Sequence, residues 1–172
     1  MTPPHRDWSP FFVLPDGKRA PTPRSASTPV GIGDRLRAAA FAEIQAREAF
    51  SWAGSRYPDA PPRLRAVWAD LAAAEDRHLG WLLRRMEELD VDPAGRPVSA
   101  ALWRSLTSCD DAETFCRWMA DAEERGRQAG ETIGAALADV DPTTARLFAT
   151  IAREEVAHIA VASRFFGPDP RA

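Results

Sequence analysis

The sequence predicts an all-α fold: a four-helix bundle of two helical hairpins joined by a long crossover and preceded by a proline-rich extended arm. Three observations carry this. Apolar residues recur at helical spacing through four long segments, proline, glycine and capping residues punctuate them, and the chain repeats itself at an offset of 80 residues without a gap. No strand is needed to account for the pattern.

Residues 1–33 hold stretches such as "TPPHRDWSP" and "APTPRSASTP", and proline at that density excludes helix and central strand. Within this arm "WSPFFVL" is apolar enough to pack on the body, because leaving it in water is unfavourable. The bundle is expected over 34–167. Asp34 is placed to N-cap a first helix ending near Arg56, with Leu36, Ala40, Glu43, Phe50 and Ala53 near one face. "YPDAPPRL" breaks it, and Pro61 and Pro62 suit the first turn of a second helix running to about Leu89. The long link that follows has room for a short turn around Trp103. Asp110 with Glu113 reads as a capping box opening the third helix, and Asp141 with Pro142 opens the fourth. Gly167 followed by Pro168 closes it, leaving a tail over 168–172.

The balance of 45% apolar and 27% charged residues is globular, and 172 residues suit one such domain. A formal charge of −3 gives no overall pull toward nucleic acid. No segment approaches the ~18 apolar residues of a membrane span, so a cytoplasmic protein is expected. Cys109 and Cys116 are seven apart, which suits buried hydrophobes better than a CxxC metal or redox pair.

The repeat superposes Glu43 on Glu123, Glu75 on Glu155 and His78 on His158. It also matches Arg47 with Arg127, Gly54 with Gly134, Pro62 with Pro142 and Arg84 with Arg164. In each hairpin a lone glutamate precedes a Glu-x-x-His by 32 residues. Residues i and i+3 project from one helical face, so each Glu-x-x-His can point inward at one height. Four carboxylates and two imidazoles then meet in the middle of the bundle. Burying them costs several kcal/mol per uncompensated charge, whereas two divalent cations would balance four carboxylates. Mixed oxygen and imidazole ligands suit iron or manganese. Two Glu-x-x-His motifs among only three histidines, inside a gapless repeat, make a far stronger signal than one motif alone. His5, on the arm, is not recruited.

This arrangement is the pattern of ferritin-like di-iron and di-manganese proteins. "AFAEIQAREAF", "AAAEDRHLGWLLRRMEEL", "ADAEERGRQAG" and "IAREEVAHIAVASRFF" resemble, in order and spacing, a ferritin-like family catalogued as a domain of unknown function and related to the di-iron tRNA hydroxylases. The resemblance spans about 34–167. It implies that Glu75 and Glu155 bridge two metals while Glu43, Glu123, His78 and His158 are terminal ligands. It further implies that Glu154, just before the second Glu-x-x-His, hydrogen-bonds a histidine on a facing helix. The first hairpin has Ala74 at that position, so a symmetric pair of such contacts is not expected.

Glu124 competes with Glu123 but breaks the 32-residue spacing. Glu48 and Glu131 read as solvated charges, and Arg47 and Arg127 either as helix ion pairs or as contacts for an anionic substrate. Gly126, Gly130 and Gly134 form an i+4 ridge, which serves either close helix packing or a cavity beside the metals. Tyr57 lies roughly 21 Å along the helix from Glu43 at 1.5 Å per residue, too far for a radical role. Trp52, Trp68, Trp81, Trp103 and Trp118 read as core or interface residues.

The leading expectation is an oxidoreductase, an O2-dependent di-iron oxygenase or oxidase acting on an unidentified small molecule. An external electron donor and a homodimer fall within it. A tRNA base stays open as substrate, although the acidic chain argues against nucleic acid. Ferroxidase or metal storage, or peroxide detoxification, is the alternative; a rubrerythrin-type four-cysteine iron site cannot be built from two cysteines.

Overall fold

The computed structural model describes residues 6–169, so His5 and the last three residues of the tail lie outside the described part. Four long helices and one short one follow in order: α1 Pro29–Arg56, α2 Pro62–Glu88, α3 Ala101–Thr107, α4 Ala112–Leu137 and α5 Pro142–Phe166. Helix α1 pairs along its length with α2, and α4 with α5, giving two hairpins. The segment carrying α3 is the crossover between them. The fold is an all-α bundle, and among the described residues the only β pairing is an isolated bridge between Val13 and Val98. No helix is long and apolar enough to cross a membrane.

Local chemistry sets most boundaries where the sequence places them. Pro62 and Pro142 occupy first-turn positions, where the missing N–H has no intrahelical partner to lose. Asp141 caps α5 by accepting from the Thr144 amide at 3.0 Å. At the far end Gly167 adopts φ +77°, open to glycine without strain, and Pro168 follows.

Two boundaries differ from expectation. Helix α1 starts five residues before Asp34, with Thr28 as N-cap accepting from the Gly31 amide at 3.1 Å and Pro29 in the first turn. The glycines that look like helix breakers there serve close approach instead. A Cβ on Gly31 would fall 1.8 Å from the Ser25 carbonyl oxygen, and one on Gly33 would press on Val91. Asp34 is thus not a cap. It is buried inside the helix and pairs with Arg24, Arg37 and Arg96. Helix α4 is capped by Asp111 rather than Asp110, with Asp111 Oδ1 accepting from the Thr114 amide at 2.8 Å, while Glu113 pairs with Arg117 one turn on.

The arm packs on the body through the stretch the sequence singles out. Trp8 sets its ring edge against Phe41 and Trp103, Phe11 is buried on Phe41, and Phe12 faces out. Arg24 reaches Asp34 with two side-chain bonds of 2.7 and 2.8 Å, fastening the arm to α1. Short α3 is held against α1 by buried Gln45, whose amide oxygen accepts from the Trp103 backbone at 3.0 Å. One end of the core is aromatic: Trp52, Tyr57, Trp68 and Trp103 gather there with Phe115, and the Tyr57 hydroxyl donates to the Cys109 carbonyl at 2.8 Å. Both cysteines are buried and free. Trp118 points outward.

Because Asp34 neutralises a buried guanidinium, its removal strands Arg37 in the core. Asp34→Ala is expected to cost about 3 kcal/mol in urea unfolding. A loss below about 0.5 kcal/mol, the range of ordinary surface substitutions, would show that this ion cluster does not fasten the arm.

Candidate metal centre

The helical repeat that puts Glu and His on one face also puts both faces at one level of the bundle. Glu43 comes from α1, Glu75 and His78 from α2, Glu123 from α4, and Glu155 and His158 from α5. All six predicted residues converge between the two hairpins. Their ligand atoms fall into two groups: Glu43, Glu75, His78 and Glu155, and Glu75, Glu123, Glu155 and His158, with the atoms of each group within 4.8 Å of one another. Glu75 and Glu155 belong to both.

The distances show how the sharing is arranged. Glu75 Oε1 lies 2.8 Å from His158 Nδ1, while its Oε2 lies 3.5 Å from His78 Nδ1. Glu155 does the converse, with Oε2 2.9 Å from His158 Nδ1 and Oε1 3.2 Å from His78 Nδ1. Each of these two carboxylates therefore turns one oxygen to each histidine. Glu43 Oε2 adds a contact of 3.4 Å to His78 Nδ1. The imidazole rings stack 5.8 Å apart.

These contacts have hydrogen-bond length without hydrogen-bond direction. Both oxygens of Glu75 and of Glu155, one of Glu123, and Nδ1 of both histidines are buried without a hydrogen-bond partner. Buried polar atoms are almost always satisfied, because each orphan costs about 1–3 kcal/mol. Seven such atoms facing shared points, with Glu75 and His78 fully buried, are what cation ligands look like from the protein side. The residues present fit divalent metal, and the oxygen and imidazole donor set excludes a thiolate-seeking one.

Protons can occupy the same role. Burial lifts Glu43 and Glu123 well above the ordinary carboxylate range. Burial also works upward on Glu75, but His158 and His78 outweigh it and hold that carboxyl down at about 2. On His158 burial works downward, and Glu155 and Glu75 overcome it, lifting the imidazole from 6.5 to about 9; His78 rises further for the same reason. Without metal, burial thus favours the neutral form of Glu43 and Glu123, while the surrounding glutamates favour the protonated form of both imidazoles. Two divalent cations with four carboxylates reach neutrality.

Outside this cluster, Glu154 Oε2 sits 2.9 Å from His78 Nε2 and also accepts from Arg77 at 3.1 Å. It orients the ring so that Nδ1 faces inward. The equivalent residue in the first hairpin, Ala74, offers His158 no such partner. Trp81 tilts over His78 at 5.4 Å. Glu124 turns away and pairs with Arg127 and Gln128, while Arg127 also binds Glu131. Arg47 is likewise occupied by Glu48 and Asp76, so both arginines are helix-surface ion pairs. Glu48 is not simply solvated, since Arg6 of the arm pairs with it as well.

The two sides of the cluster differ. Between α1 and α4, with α5 contributing to its wall, a cleft of about 330 Å3 reaches Glu43, Glu123 and Glu155, whereas neither histidine lines it. The glycine ridge divides between its two readings. Gly130 and Gly134 allow close packing, since a Cβ on them would meet Ala152, Phe148 or Ala145, but a Cβ on Gly126 would meet nothing within 4 Å. Arg35, at the cleft, has no periodic or motif signal that would single it out in sequence.

Metal should displace these protons, so that binding near neutral pH releases protons to the buffer, as read by calorimetry in buffers of different ionisation enthalpy. Stability should follow. A histidine whose folded pKa is raised stabilises fully below its unfolded value and loses that contribution as pH rises through the folded one. The raised Glu43 and Glu123 act in the same sense above the ordinary carboxylate pKa. Thermal melts of metal-free protein should therefore fall from pH 6.5 to about 9, and metal loading should flatten the profile. Parallel profiles with and without metal would refute this coupling.

Comparison with curated proteins and with solved structures gave no match. A family model does match, and it spans residues 2–168, nearly the whole chain. The chain, a helical bundle with a buried glutamate and histidine cluster able to hold metal, belongs to the family described as "Protein of unknown function (DUF455)".

Proposed function

We propose that this chain is a dinuclear metalloprotein of the ferritin-like di-iron class, an oxidoreductase that activates O2 to oxidise or hydroxylate a small substrate. One observation carries the reading: the two groups of four residues have Glu75 and Glu155 in common, and neither oxygen of either carboxylate has a hydrogen-bond partner. That is the ligand pattern of a bridged pair of ions, iron in the first place and manganese in the second. Bound iron would supply the electrons and the coordination sites that dioxygen reduction requires.

The chain's own residues do the rest. Glu75 and Glu155 would contribute to both ions, His78 and His158 would each add an imidazole, and Glu154 fixes the His78 ring through Nε2. Glu43 and Glu123 line the cleft, the side from which a substrate can approach. Apart from Arg35 and the three glutamates the cleft wall is apolar, which favours an organic substrate over the passage of hydrated iron to a storage cavity. Returning oxidised iron to Fe(II) after each hydroxylation would take electrons from a separate donor.

Anaerobic Fe(II) loading followed by metal analysis should find two metals per chain. Glu155→Ala and His78→Ala should lose them, Glu124→Ala should not, and Glu154→Ala should weaken affinity by about 10–100-fold through the misoriented His78. Full occupancy in both ligand variants would sink the assignment. Fe(II) consumed by O2 in proportion to the iron added, without an organic substrate or reductant, would favour the ferroxidase alternative.

A further inference from the structure

Arg35 lies on α1 eight residues before Glu43, roughly 12 Å along the helix at 1.5 Å per residue. Both side chains line the same cleft. Its Nη1 donates to the carbonyls of Gly31, at 2.9 Å, and of Arg24. These contacts hold the guanidinium in place without neutralising it. Whereas Arg24, Arg37 and Arg96 share Asp34, no carboxylate pairs with Arg35 among the described residues. Between this cation and the glutamates the wall is made of small and apolar residues, and Gly126 leaves open space where any side chain would intrude. At the other end, Glu155 is 3% exposed and both its oxygens lack hydrogen-bond partners. The cleft therefore carries a cation at one end, carboxyl groups at the other and an apolar wall between them, and its volume of about 330 Å3 suits one small ligand.

We infer that the cleft binds a small anionic amphiphile: an apolar chain ending in a carboxylate, with the carboxylate on Arg35 and the far end of the chain beside Glu43 and Glu123. Resting on the metal-centre reading, this names the substrate class of that centre. An arginine fork matches a carboxylate in charge and shape. The apolar wall between Arg35 and the glutamates offers no partner for a polar group along the chain of the ligand. A cationic chain end would have to displace the guanidinium, and a neutral one would leave it unanswered.

Octanoate, octanol and octylamine titrated calorimetrically into the full chain, with and without bound metal, test this. Octanoate should bind the metal-loaded protein at least about tenfold more tightly than octanol, and octylamine more weakly still. Arg35→Ala should abolish the preference for octanoate, and Arg35→Lys should keep its sign but reduce it, since lysine keeps the charge and loses the fork. Gly126→Leu should remove binding of both octanoate and octanol while leaving metal content unchanged. Equal affinity for octanoate and octanol, or a preference that survives Arg35→Ala, would overturn the inference. So would a wild-type dimer that Gly126→Leu dissociates and that takes up no octanoate, since a second copy would then be the occupant. Metal analysis of the same samples separates the two readings. Two metals per chain with no octanoate preference defeat the substrate class alone, whereas Arg35-dependent octanoate binding by a protein that takes up no metal on Fe(II) loading defeats the metal centre and leaves the ligand class standing.

Discussion

Six ionisable side chains gathered at one level of the bundle, four of them buried and two half-buried, are the constraint on which the rest of this structure depends. Four carboxylates and two imidazoles cannot stay charged in a low-dielectric interior unless something balances them. Protons can do so in part, since the surrounding carboxylates raise His158 and burial raises Glu43 and Glu123. They do it imperfectly, because the oxygens and Nδ1 atoms are aimed at common points and not at one another. Helices α1, α2, α4 and α5 must meet at the height of these residues, and the two hairpins are placed accordingly.

Duplication makes the ligands symmetric without making their surroundings so. His78 is oriented by Glu154 and covered by Trp81, while Ala74 leaves His158 without the matching carboxylate. The two positions of the centre are thus chemically distinct even though their ligand sets correspond under the 80-residue repeat. A further asymmetry is set by packing. Gly130 and Gly134 let α4 lie close on α5, and the same helix keeps its distance from α1 around Gly126, so the centre is closed within the hairpins and open between them.

Fastening at the periphery serves that opening. Asp34 gathers arginines from the arm, from its own helix and from the crossover, and the arm lays Trp8 and Phe11 over Phe41. Pro23 of the arm and Leu102 of α3 contribute to the wall of the cleft, so the arm is part of the site's surroundings as well as a cover for apolar surface. The early start of α1 belongs to the same arrangement, because Gly31 and Gly33 admit the arm and Val91 at distances no side chain would permit.

The helices, the hairpin repeat and the six converging residues could be read directly from the chain. Helical spacing, the i and i+3 rule and an 80-residue offset are relations between positions in one sequence, and they place Glu123 rather than Glu124 in the cluster without reference to any neighbour. Capping was legible where the cap bonds its own first turn, as at Asp141, and misread where a carboxylate was claimed by distant partners, as at Asp34. The cleft, the unneutralised Arg35 and the division of labour along the glycine ridge came only from the tertiary structure. Each depends on how far apart α1 and α4 stand and on which guanidinium finds a carboxylate first. Those are properties of segments some 80 residues apart in the chain, for which no local periodicity carries information.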